Sequence, residues 1–185
     1  GYVEHSLTET LKNQFCNLLI SENLTKTTAI TMLQEIFNKY SSWNERVLEA
    51  CLNHKPLNEV FDIIIQVLNN PVLVLNSSFA VILTAGGIPE KIENTYWQFF
   101  LPHGYSSFEK LANLTKPYVY EKHIDSKEPR WFKAGKTEYP FMSINLNLYG
   151  DSYGEISIVE TYGPLTLGQL SLLNHIREPI ECYVR

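Results

Sequence analysis

The residue types able to carry covalent or metal chemistry are few and scattered in this chain. Its three cysteines are Cys16, Cys51 and Cys182. No two of them form C-x-x-C, and an odd count does not suit a disulfide framework. Each falls in a segment with helical apolar spacing, where a small buried thiol is the ordinary state. The five histidines, His5, His54, His103, His123 and His175, show neither H-x3-H nor H-E-x-x-H spacing, so no zinc site is expected. Asp62, Asp125 and Asp151 are the only aspartates, too few for a carboxylate-rich magnesium or calcium site. There is no Walker loop and no G-x-S-x-G elbow, and Gly86-Gly87 has neither a following Lys nor an amphipathic helix to cradle a phosphate. A non-enzymatic chain without a cofactor is expected.

Binding is the chemistry these residues do favour. Aromatics make up 12% of the chain, with 11 Tyr, 9 Phe and 3 Trp. Many fall between residues 88 and 138, a stretch with little regular periodicity. Aromatic rings give a pocket large apolar area, and an occasional His, Arg or Asn orients a polar ligand. The candidate ligand-binding residues are Trp97, Phe99, His103, Tyr120, His123, Arg130, Trp131 and Asn145. The plainer alternative is that Trp97, Phe99 and Phe100 fill the core, that the histidines are surface or satisfied core residues, and that 122–136 is a solvated face.

Elements must position these side chains. The first seventy residues read as helices. Ser6 and Glu9 form a capping box before a stripe from Leu7 to Leu19. A second helix is expected from Thr27 to Tyr40. A second capping box, Ser42 and Glu45, predicts a third helix over Trp43–Leu52. Pro56 suits the first turn of a fourth through Leu68, and Asn69-Asn70-Pro71 ends it. Val72–Leu75 and Ala80–Thr84 are β-branched and apolar around Asn76-Ser77-Ser78, which predicts a hairpin. A short helix near Phe108–Asn113 and a strand at Tyr118–Glu121 are expected in the middle stretch. Met142, Ile144, Leu146 and Leu148 alternate with Ser143, Asn145 and Asn147, a strand of period two. Gly150-Asp151-Ser152 turns it into a second strand, Tyr153–Glu160. Thr166 and Gln169 cap a last helix that Pro179 should kink.

Helices followed by antiparallel hairpins give an α+β class, with about five or six strands flanked by helices. The expected division is a helical segment over 1–70, for dimerisation or packing, and a sensor-like domain over 71–185 ending in a signalling helix. The net charge of −5 speaks against a grip on nucleic acid. A helix-turn-helix over residues 25–53 fails for the same reason: Lys26, Lys39 and Arg46 cancel Glu35, Glu45 and Glu49. No apolar run is long enough to span a membrane. With no secretory leader pattern and no disulfide framework, a cytoplasmic location is expected. The start at Gly1 and the end within a helical pattern suggest a piece of a longer protein.

Several of these residues carry a family resemblance. Leu57, Val60, Phe61, Leu68, Asn70 and Pro71, leading into Val72–Phe79, resemble the opening of the PAS/GAF-like sensory region in PucR-like bacterial transcriptional regulators. Where that family usually has Asp, this chain has Asn76. Ile144–Glu160 resembles the paired GAF strands around a glycine, here Gly154. Pro164-Leu165-Thr166 with Gln169-Leu170 and Leu172-Leu173 resembles the start of the closing GAF helix. The resemblance covers residues 43–185. It implies a small-molecule sensor that dimerises, passes its signal through the last helix, and continues past Arg185 into a DNA-binding helix-turn-helix. The alternatives are a purely structural dimerisation module, or an enzyme on a GAF-like scaffold such as the free methionine sulfoxide reductases. Those use cysteines in pocket loops, and this chain has none between residues 52 and 181.

Overall fold

The computed structural model describes residues 25–91, 95–105, 128–133 and 140–185. The expected helix over Leu7–Leu19, the short helix near Phe108–Asn113 and the strand at Tyr118–Glu121 lie outside the described residues. The chain divides into two compact units, Gly1–Ser41 and Ser42–Arg185.

Helix α1 spans Lys26–Leu52 without a break. The two helices expected over this stretch are therefore one. No Gly or Pro interrupts it, and a serine in a helix interior costs under about 0.7 kcal/mol, so Ser41 and Ser42 are carried through and the expected capping box at Ser42 does not start a new helix. Pro56 precedes α2 (Leu57–Ile64), whose buried stripe is Val60, Phe61 and Ile64. A single 3-10 turn, Ile65–Val67, follows, and the backbone becomes extended at Leu68.

Strands β1 (Val72–Asn76) and β2 (Val81–Ala85) form the expected antiparallel hairpin. Its turn is organised by Asn76, whose Oδ1 accepts hydrogen bonds from the Ser78 and Ala80 amides at 3.0 and 2.9 Å. Strands β4 (Phe141–Leu148) and β5 (Asp151–Val159) form the second hairpin. A short edge strand, β3 (Arg130–Phe132), pairs with the start of β4. The five strands form one antiparallel sheet in the order β2-β1-β5-β4-β3. Central β5 is thus flanked by β1, far away in sequence, and by β4.

Helix α3 spans Leu167–Tyr183 and opens on the expected capping box, Thr166 and Gln169 each bonding the other's backbone. It runs on through Pro179. The missing amide there removes one ladder bond, and burial of Leu173, Ile176 and Ile180 holds the helix in place.

Alternation along the strands gives the sheet two buried faces. Val72, Val74, Met142, Ile144, Leu146, Ile156 and Ile158 meet the helices, packing with Trp43, Val47, Phe61, Ile64 and Ile176. On the opposite face Leu73, Leu75, Phe132, Phe141 and Val159 pack with Tyr96, Trp97 and Phe100. Those three come from a 3-10 turn, Tyr96–Phe99, and the residue after it. The architecture is α+β and GAF/PAS-like: a five-stranded antiparallel sheet flanked by helices.

Candidate functional site

Polar residues interrupt the second face at its centre. Ser143 and Asn145 of β4 and Glu155 and Ser157 of β5 are all buried, exposing between 0 and 4% of their surface. Strand register sets them in two rows across the sheet. One row runs Leu75, Glu155, Asn145, and the next runs Leu73, Ser157, Ser143, Arg130. Phe132, Phe141 and Val159 form the apolar row beyond. A strand with polar residues at every second position is ordinarily wet on that side. Here Tyr96, Trp97 and Phe100 pack against the apolar residues of the same face, and the four polar residues are buried.

Within the patch, Ser157 Oγ donates to Glu155 Oε1 at 3.0 Å. The Tyr96 hydroxyl is buried and makes no hydrogen bond. Its ring is fixed by Phe141 and Phe100, at centroid distances of 4.6 and 5.1 Å. Phe132 stacks on Phe141 at 4.4 Å. Burial pushes the Tyr96 phenol well above its ordinary 10.0, and the nearby Glu155 carboxylate pushes it further. The side chain of Ser157 lies close enough to oppose this in part, though without hydrogen-bond geometry. Tyr96 is thus held as a neutral phenol with donor and acceptor capacity to spare. A buried carboxylate, an amide, two hydroxyls and a phenol inside an aromatic rim can orient a small polar molecule by hydrogen bonds.

The residues expected to bind ligand are distributed unevenly about this patch. Asn145 lies in it, level with Glu155. Arg130 stands half-buried at its edge, level with Ser143. Trp97 is fully buried in the covering layer and donates through Nε1 to Thr161 Oγ1 at 3.1 Å. Phe99 packs against the same layer, half-buried. Trp131 points the other way, because its neighbours Arg130 and Phe132 take the second face. It packs at the margin of the helix-side core, with Lys133 Nζ 4.6 Å from its ring. His103 is exposed near Tyr105. Tyr120 and His123 lie outside the described residues.

Glu155, Ser157 and Ser143 are the members that sequence reasoning missed. Their alternation with Ile144, Ile156 and Ile158 was visible, but alternation alone does not tell a wet face from a covered one.

Two further contacts fix the frame. Asn70, just before Pro71, is buried and clamps the loop after β5. Its Oδ1 accepts from the amides of Thr161, Tyr162 and Gly163 at 3.0, 2.9 and 3.3 Å, and its Nδ2 donates to Gly163 O at 2.8 Å. On the helix side, Glu181 of α3 accepts at Oε1 from the Asn147 amide of β4 at 2.9 Å. This bond lies two residues from Asn145, where the β4–β5 register shifts. Among the described residues, no group of His, Cys, Asp or Glu is placed to hold a metal ion. No described helix is long and apolar enough to cross a membrane.

Fold and patch together define a GAF/PAS-like domain with a covered polar patch on one sheet face. No family model matches the chain, and no curated protein matches it. Among solved structures, a chain in the crystal structure of the E. coli DhaR(N)-DhaL complex superposes with a TM-score of 0.50 at 12% identity. The match covers 97% of this chain and 58% of that one. At that identity the likeness speaks for the fold.

Proposed function

We propose that this chain is the small-molecule-sensing region of a bacterial transcriptional regulator. In this reading it is non-enzymatic, cytoplasmic and homodimeric, and the DNA-binding part lies outside the sequence. The observation that carries it is the buried set Ser143, Asn145, Glu155 and Ser157 with the Tyr96 hydroxyl. A core built only for packing would use apolar residues at these positions. A ligand with hydrogen-bond donors suits Glu155 and Asn145, while its apolar part meets the aromatic rim.

The GAF/PAS-like fold and the sequence resemblance support the regulatory setting. The Asn147–Glu181 bond supplies a route for the signal: a shift of β4 at Asn145 is felt at α3 through an adjacent backbone group. Cys51 and Cys182 sit on the helix side of the sheet, away from the patch, which weighs against the thiol chemistry of a GAF-like reductase. The net charge of −5 supports a chain that does not grip DNA itself. For the homodimer, the support is α1, where Ile30, Met32, Leu33, Ile36, Phe37 and Tyr40 are exposed.

A thermal-shift screen of metabolites tests the sensor reading. A ligand at 100 times its Kd stabilises by about 2.7 kcal/mol, and Asn145→Ala and Tyr96→Phe should weaken the shift. If no metabolite class moves the melting point, the purely structural dimerisation module is the better reading. Sedimentation should give a dimer, which the double change Ile36→Lys, Phe37→Lys dissociates.

A further inference from the structure

A groove of about 540 Å³ lies between the C-terminal half of α1 and α3, and its lining includes Leu48, Cys51, Leu52, Pro179 and Cys182. Two polar contacts set how the helices face each other. Asn44 Oδ1 and His175 Nε2 share a hydrogen bond at 2.8 Å. Further along both, the Tyr183 hydroxyl donates to the Lys55 carbonyl, just past the end of α1, at 2.8 Å. Residue numbers rise together between these contacts, so the two segments run in the same direction. Seven residues advance an α-helix by about 10.5 Å and return it to within about 20° of the same face. Cys51 is seven residues beyond Asn44, and Cys182 is seven beyond His175. Both cysteines therefore stand seven residues beyond the first contact on their own helix, and both line the groove.

We propose that Cys51 and Cys182 are a redox pair, joined by peroxide into a reversible intramolecular disulfide that staples the end of α3 to α1. Burial raises the pKa of Cys51, and its proximity to Cys182 raises it further. Their environments assign the roles, since Cys182 is exposed and Cys51 is 6% exposed. The Cys182 thiolate attacks a peroxide oxygen. The O–O bond breaks, leaving a sulfenic acid and, after protonation, one water. Cys51 sulfur then attacks Cys182 Sγ. The S–S bond forms, the S–O bond breaks, and the departing hydroxide takes the Cys51 proton as a second water. The two thiols lose two electrons and the peroxide gains them. Closure narrows the groove and holds α3 near Glu181, independently of any ligand on the other face of the sheet.

The test is peptide mapping of the full chain, reduced and then treated with hydrogen peroxide. Trypsin separates the two cysteines, because Arg46 and Arg177 precede them on different peptides. A linked Cys51–Cys182 peptide pair that dithiothreitol releases is expected, with a melting point several degrees above that of the reduced chain. Dimedone should label Cys182 in Cys51→Ala far more than in the unaltered chain, because no resolving thiol remains. Equal labelling of the two chains overturns the proposal. So does recovery of Cys182 only as sulfinic acid, or bonded to Cys16 or to a second copy, with Cys51 still a thiol. A linked pair without any metabolite shift would leave the redox pair standing and the sensor reading rejected.

Discussion

Asn70 and Tyr96 show opposite uses of a buried polar group. Asn70 satisfies three amides and one carbonyl of the loop at 161–163. Replacing it with Ala leaves those groups half-buried without that partner, a loss of about 1–3 kcal/mol. Asn70→Asp keeps the acceptor and loses the donor, so urea denaturation should place it between the two. Tyr96 is different, because its hydroxyl has no partner to lose. Tyr96→Phe should leave the unliganded chain as stable as before, or up to about 1 kcal/mol more so. Its effect with pH has a definite sign. The folded phenol is raised above the ordinary 10.0. Below pH 10 both folded and unfolded chains hold the proton, and the contribution is intact. Above it the unfolded chain releases the proton first, so stability falls as pH rises toward the folded value. Urea melts from pH 8 to 11 should show that fall, and Tyr96→Phe should reduce it. Equal slopes in both chains would rule out Tyr96 as its source.

At the scale of elements, two connections hold the sheet and its helix in register. Gly154 of β5 lies so close to β1 that an added Cβ would stand 2.0 Å from the Leu75 carbonyl oxygen. Backbone cannot yield as a flexible side chain can, so Gly154→Ala should cost about 1–3 kcal/mol or more, read as a lower melting point. This gives a physical reason for the glycine in the strand-pair motif. The second connection is Glu181 to the Asn147 amide. Glu181→Ala should speed hydrogen exchange at Asn147 while leaving the amides at the centre of β5 protected. Unchanged exchange at Asn147 would remove the proposed route from β4 to α3. The hairpins, the Pro56 start of α2 and the Thr166 cap were all legible from local chemistry. Strand β3 was not: three residues show too little alternation, and only pairing with Phe141–Ser143 makes them a strand.

For the whole molecule, the unit from Ser42 to Arg185 holds both faces of the sheet and the helices that cover the first. A chain beginning at Ser42 keeps Trp43, Val47, Ala50 and Cys51 and should still unfold in one cooperative transition by calorimetry. Absence of such a transition would mean that residues 1–41 are needed for its core.

The sequence by itself determined the α+β class, the two hairpins, the closing helix and its cap, because each rests on short-range rules of spacing, turn chemistry and capping. It also placed Asn145 among the candidate binding residues. Only the tertiary structure decided that the polar side of β4 and β5 is covered, since Ser143, Asn145, Glu155 and Ser157 alternate as a wet face would. Tyr96, Trp97 and Phe100, more than forty residues earlier in the chain, pack on that same face. Tertiary placement also turned Trp131 to the opposite face and put Cys51 and Cys182 in the lining of one groove. Strand alternation and helix periodicity fix which side chains share a face, but what packs against that face depends on contacts between residues far apart in sequence.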